Sequence, residues 1–262
     1  VVDLGGGTSD FTVVRLGPDR RQQADRSADI LATSGVHIGG TDYDRQLNLA
    51  QVMPLLGFKH IGPEQREVPS RVFFDLATWH LIHWQYQPKA IAHAKTLRSN
   101  YTDPRLHERL MQVLTERHGH HLAHEVEQAK IRCSMADADT TVDLSIVEAA
   151  LTAPLGKAAL REHLGTLLDR TVVCAQECVQ RAGLQNDQLD AVYLTGGSSA
   201  LSTFQTTLQA EFPGVALIEG DLFGGVAAGR RGRRRARLAA ASGELGPLPR
   251  SLPAGGRAPA QP

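Results

Sequence analysis

The sequence predicts an α/β fold built on a partly parallel sheet. Three observations carry that expectation. The chain opens on a short apolar strand, Val1-Val2-Asp3-Leu4, which enters three glycines and returns as Phe11-Thr12-Val13-Val14-Arg15-Leu16. Far along the chain, Leu189-Asp190-Ala191-Val192-Tyr193-Leu194 runs through Gly196-Gly197 into a predicted helix at about 201–211, and 215–218 supplies another strand. Just before it, Leu160, Leu164, Leu167, Leu168, Val172, Ala175 and Val179 recur at helical spacing and form one apolar stripe. Helix, strand, Gly-Gly turn, helix, strand is the alternation of an α/β layer.

The remaining elements follow in order. The two opening strands are joined by Gly5-Gly6-Gly7, and glycines there permit positive φ and close approach of a ligand to the backbone. The run Ser34-Gly35-Val36-His37-Ile38-Gly39-Gly40-Thr41-Asp42-Tyr43-Asp44 ends the strand-rich zone, with Thr41 as the expected N-cap of a helix through Arg45, Leu47 and Leu49. Residues 51–150 read as helical and hold both tryptophans, Trp79 and Trp84, and nine of the eleven histidines. A single helix at about 105–135 is expected to lead, through Asp137-Ala138-Asp139, to a strand pair at 135–145. Gly183 is the expected C-cap of the long helix that follows. From about Arg230 the chain turns to Arg, Ala, Gly and Pro with almost no large apolar residue, which cannot bury a core and predicts a disordered tail over 230–262.

Composition excludes several classes. The chain of 262 residues is 42% hydrophobic with a formal net charge of zero, so no charge imbalance points to nucleic acid or an anionic membrane. No apolar run reaches the length of a membrane span, and with so few cysteines a reducing cytoplasm is the expected location. Three cysteines are too few for a disulfide framework. Cys174 and Cys178, four apart on one predicted helix, read as small core residues.

The glycine segments carry the chemistry. In Asp3-Leu4-Gly5-Gly6-Gly7-Thr8-Ser9-Asp10 the glycine amides can converge on phosphate oxygens, Thr8 can donate a hydroxyl, and Asp3 and Asp10 can hold a hydrated metal ion. Gly196-Gly197-Ser198 repeats the logic at a helix N-terminus, where unpaired amides favour an anion or a polar ring edge. Taken alone, either segment also describes a tight turn; two such turns at matching strand ends favour one shared ligand. Glu127, Lys130 and Ser134 lie at i, i+3 and i+7 on one helical face, a pattern that an exposed charged face also produces. His120 and His124 have the i, i+4 spacing of a zinc pair, but no third ligand stands at a diagnostic distance, and solvated or stacking histidines are the simpler reading. His80 and His83, beside the tryptophans, are expected to pack.

Together these segments resemble the actin-like ATPases, and within them the 70-kDa heat-shock (DnaK-type) chaperones. Asp3 to Asp10 is similar to that family's second phosphate signature, His37 to Asp44 to its following Gly-Gly segment, and Leu194-Thr195-Gly196-Gly197-Ser198-Ser199 to its adenosine motif. The resemblance implies an actin-like, ribonuclease-H-like α/β fold: ATPase lobe II core at 1–50 and 151–229, and a helical upper subdomain at 51–150. It implies ATP or ADP with Mg²⁺ as cofactors. Gly5, Gly6, Gly7 and Thr8 would hold the phosphates, and Asp3 and Asp10 the Mg²⁺ or its waters and the attacking water. Glu127 and Lys130 would reach the ribose and Ser134 the base, with Gly196, Gly197 and Ser198 framing the nucleoside and Asp221 near the same pocket.

Two departures stand out. The family's adenine-stacking arginine falls at Ile131 and its adenosine-motif arginine at Ala200, so a cationic face over the base is replaced by an apolar one. The 51–125 segment, with Trp79-His80-Leu81-Ile82-His83-Trp84, is closer to the YegD-like branch, whose members lack a peptide-binding domain. The function implied is ATP binding and slow hydrolysis in a chaperone-like protein, with protein clients or co-chaperones as partners. The opening in mid-motif is read as a fragment without the first ATPase lobe, so weak nucleotide binding and negligible turnover are expected of the chain alone. The alternatives are a non-catalytic interaction protein that keeps the fold, and a sugar kinase, for which no catalytic aspartate is apparent.

Overall fold

The computed structural model describes residues 1–18, 20, 25–136 and 138–220. The strands are β1 (Val2–Leu4), β2 (Ser9–Val14), β3 (Ile30–Val36), β4 (Thr140–Asp143), β5 (Thr152–Leu155), β6 (Ala191–Thr195) and β7 (Ala216–Glu219). The helices of seven residues or more are α1 (Gly40–Leu47), α2 (Arg71–Ala77), α3 (Pro88–Thr96), α4 (Pro104–Thr115), α5 (Gly119–Ala136), α6 (Lys157–Arg181) and α7 (Ser202–Glu211).

Five strands form one sheet in the order β3-β2-β1-β6-β7. The tight turn at 5–8 gives antiparallel pairing of β1 with β2, and β3 also runs antiparallel to β2. The helical crossovers give parallel pairing of β1 with β6 and of β6 with β7, because parallel neighbours need a connection long enough to return to the same end. Alternation fixes the two faces. Val2, Leu4, Ser9, Phe11, Val192 and Leu194 are buried, while Asp3 and Asp10 stand at the intervening positions. Helix α6 packs on this sheet through the predicted stripe, with Leu160, Leu164, Leu168, Val172, Ala175 and Val179 buried. Its cysteines are free and buried, as expected: Cys174 Sγ lies 3.1 Å from Ser34 Oγ, and Cys178 Sγ 3.6 Å from the Phe11 carbonyl. Burial pushes the Cys178 thiol up, away from reactive thiolate. Gly183, one residue past the Ala182 cap, has φ +71°, the left-handed end that glycine permits.

Several sequence expectations are corrected. Helix α1 starts two residues earlier than Thr41 predicts: Gly39 is the N-cap, and the Asp42 carboxylate accepts from its amide at 3.0 Å. The single helix expected at 105–135 is two, α4 and α5, broken where Arg117 adopts φ +59° and the His118 amide turns back to the Val113 carbonyl at 2.9 Å. The strand pair expected at 135–145 is one strand, β4, whose antiparallel partner β5 lies beyond it at 152–155, because α5 continues to Ala136. The helical segment buries Phe73, Leu76, Ile82, Leu110, Leu114, Leu122 and Val126, but not its tryptophans. Trp79 and Trp84 are 58% and 57% exposed, and His80 and His83 lie against them at the surface instead of packing inside. Among the described residues no helix is long and apolar enough to cross a membrane. The tail expectation for 230–262, together with Asp137 and Asp221, lies outside the described residues.

Candidate functional site

Three glycine segments from distant parts of the chain meet at the end of β1. The hairpin closes with the Gly5 amide donating to the Thr8 carbonyl at 2.9 Å. Its carbonyls are tied back into the protein. The Gly5 oxygen accepts from the Gly40 amide at 3.0 Å and from Ser198 Oγ at 3.2 Å. The Gly6 oxygen accepts from the Thr41 amide and from Thr41 Oγ1, both at 2.8 Å. The Gly6 and Gly7 amides make no hydrogen bond among the described residues, and both glycines are exposed. With the oxygens withdrawn, the polar groups left at the hairpin tip are amide donors, which suits an anion.

The reasons for glycine differ around this cluster. A Cβ on Gly39 would stand 2.5 Å from the Gly6 oxygen, and one on Gly40 would stand against Ser198 Oγ. Gly196 combines φ +81° with a Cβ position that would collide with the Leu4 carbonyl. At Gly40 the Ser198 hydroxyl would have to turn away, while Gly39 and Gly196 are required by backbone packing inside the chain. Gly6 and Gly7 are not: neither adopts the positive φ that the sequence suggested, and a Cβ on either would meet nothing within 4 Å. Open space above free amides is what a phosphate lying on the hairpin would need, so the residues present fit such a group.

The carboxylates are arranged for a cation. Asp3 and Asp10 are directly paired across β1 and β2, on the sheet face opposite Val2 and Leu4. Like charges in direct cross-strand register repel, and a bound divalent cation would relieve that repulsion. Thr8 Oγ1 donates to Asp10 Oδ2 at 3.0 Å, which fixes the hydroxyl beside the glycine tip. Among the described residues no group of three or more metal-binding side chains comes together. The His120 and His124 spacing builds no such cluster either. His120 lies 6.2 Å from the Tyr86 ring, and His124 Nδ1 is 4.0 Å from the Glu127 carboxylate.

The α5 face predicted from i, i+3, i+7 spacing reaches the same neighbourhood. Ser134 Oγ donates to the Ala200 carbonyl at 3.2 Å and accepts from the Ser202 amide at 2.7 Å, capping α7 from outside. One turn earlier Lys130 is buried, against the exposed charged face that spacing alone allows, with Nζ 2.7 Å from Asp44 Oδ1. Burial pushes the Asp44 carboxyl above its usual range, and the Lys130 charge opposes that rise. Glu127 is half exposed on the same face, and Ile131 beside Lys130 is 38% exposed. Asp44 was missed in the sequence as a site residue. The signal that could have found it was the second aspartate of Asp42-Tyr43-Asp44, two residues from one already tied to the helix start.

A sheet of order β3-β2-β1-β6-β7 crossed by helices, with glycine turns meeting at the ends of β1 and β6, is an α/β fold consistent with the actin-like ATPase class. Comparison with known proteins narrows this. The Hsp70 protein family model matches residues 107–216, from α4 to β7. The chain is also similar to a chaperone protein dnaK of Guillardia theta, 24% identical over 212 residues. That alignment covers 78% of this chain and 25% of the relative, so the chain spans about a quarter of that protein's length. Both findings are of similarity to Hsp70-type proteins over part of the chain.

Proposed function

We propose that the chain binds ATP and ADP with Mg²⁺ as part of a slowly hydrolysing, chaperone-type ATPase of the YegD-like kind. The observation that carries the reading is the hairpin at Gly5–Thr8: its carbonyls are bonded inward, its Gly6 and Gly7 amides are free, and no packing demand explains either glycine. Phosphates would lie on those amides beside Thr8 Oγ1. Asp3 and Asp10 would hold Mg²⁺ through water and orient the attacking water, and Glu127 and Lys130 would take the ribose. Gly196, Gly197 and Ser198 would frame the nucleoside. When bound, Mg²⁺ supplies charge neutralisation for the transferring phosphoryl group. Residues 1–50 and 151–229 would form the lobe core and 51–150 its upper helical subdomain. Protein clients and co-chaperones in a cytoplasmic setting complete the proposal.

Titration calorimetry with Mg-ADP and Mg-ATP tests it. The chain alone is expected to bind both weakly, with negligible turnover. Thr8→Ala is expected to weaken Mg-ATP by roughly tenfold, the scale of one hydrogen bond to a charged group. Folded protein that takes up neither nucleotide at millimolar concentration would overturn the reading. That outcome would support a non-catalytic interaction protein, which the exposed Ile131, in place of a stacking arginine, favours.

A further inference from the structure

We propose that Asp44 is a positioning residue that holds Lys130 for the ribose hydroxyls of a bound nucleotide. The inference rests on the nucleotide reading above and adds a residue that reading does not contain.

Lys130 is only 7% exposed, and a lysine so buried needs a counter-charge. Asp44 supplies it at 2.7 Å from the opposite helix, with its own side chain 19% exposed. The neighbouring aspartate is not free to substitute, because Asp42 Oδ2 accepts from the Gly39 amide at the start of α1. Just past the end of α1, Asn48 presents a buried Oδ1 with no hydrogen-bond partner among the described residues, and Asp44 Oδ1, though 2.7 Å from the Lys130 ammonium, completes no hydrogen bond either. Asp44 and Asn48 share one side of the helix by their i, i+4 spacing.

Geometry links this pair to the glycine cluster at both ends. Helix α1 begins at Gly40, whose amide is bonded to Gly5, so Asp44 rides one turn behind the hairpin. Helix α5 is pinned one turn beyond Lys130, where Ser134 bonds Ala200 and Ser202 beside the Gly196 turn. Lys130 therefore lies between two fixed points of the site. Its ammonium has three donors, and the ion pair with Asp44 at 2.7 Å would fix where they stand for a ligand with adjacent hydroxyls.

Stability alone does not account for the pair, since a buried ion pair contributes little net stability compared with apolar residues of the same volume. Preorganisation does. A free lysine loses substantial rotamer freedom when a ligand fixes it, and a lysine already held by a carboxylate loses less.

The test compares ADP with 2′,3′-dideoxy-ADP, both with Mg²⁺, by calorimetry on the full chain. Wild type is expected to prefer ADP. Asp44→Asn is expected to weaken ADP on the order of tenfold while leaving the dideoxy analogue unchanged, so that the preference collapses. Asp44→Glu keeps the charge but displaces it by one methylene, and is expected to give a smaller loss confined to ADP. Equal weakening of both ligands, no effect on ADP, or failure of both variants to fold by circular dichroism would each overturn the proposal and leave Asp44 as a packing residue. A folded wild type that binds neither ligand would remove the nucleotide reading itself, a result distinct from any of these.

Discussion

Gly6 and Gly39 lie within contact of each other, yet alanine at the two positions has opposite expected consequences. At Gly39 the added methyl meets the Gly6 carbonyl at 2.5 Å, where backbone on both sides must move. Gly39→Ala should cost about 1–3 kcal/mol and lower the thermal midpoint by several degrees. At Gly6 the methyl enters open space at an ordinary φ. Gly6→Ala should leave the midpoint unchanged or raise it slightly, because an unstrained alanine restricts the unfolded chain. The same variant should weaken Mg-ADP, since the methyl would stand where a phosphate is proposed to lie. Thermal melts with and without Mg-ADP read both effects. A Gly6→Ala protein that melts early would show that the glycine serves the fold.

At the scale of elements, helix α7 shows what sequence could and could not reveal. Its position between the Gly-Gly turn and β7 is legible from the local pattern. Its N-terminus is not: the N-cap residue Leu201 makes no side-chain cap, and the acceptor for the Ser202 amide is Ser134, 68 residues earlier. Ser134→Ala should therefore destabilise the chain by about 1–2 kcal/mol in urea unfolding, as loss of a local cap would. The long stripe of α6, the hairpin of β1 and β2, and the Gly-Gly connection to α1 were legible for the same reason that α7 was, since period and turn residues lie within a few positions. The break between α4 and α5 was not, because it rests on a left-handed Arg117, and arginine does not advertise positive φ. Asp44 escaped for a third reason, its partner being on another helix.

For the whole molecule, the charged groups set an acid limit. The Arg26 and Arg20 guanidinium groups hold the Asp29 carboxyl below its usual range, Arg109 does so for Glu148, and the Arg105 amide for Asp103. Lowered values favour the folded state above the unfolded carboxylate range, near about pH 4, and the benefit is lost as pH falls through the folded values. Asp44 works the other way: burial raises its value, so its ionisation subtracts stability at neutral pH, and that penalty fades on acidification. Urea midpoints should be greatest on the acid side of neutrality and fall steeply below about pH 4. Tryptophan emission will be a poor reporter of this transition. Both indoles are more than half exposed, so the native spectrum should already resemble indole in water, and far-ultraviolet circular dichroism should carry the larger change.

The bonds that withdraw the Gly5 and Gly6 oxygens also impose a timetable. Thr41 lies 35 residues after Gly6, and Ser198 lies 193 residues after Gly5. On a ribosome the hairpin emerges before either tether, and the Ser198 tether follows it by 193 residues. While those 193 residues are being made, the nascent chain would carry a glycine loop whose oxygens still face water, and an anion would find it poorly shaped. Nucleotide capture would then mark the moment when β6 has joined β1, making the ligand a reporter of an assembled sheet.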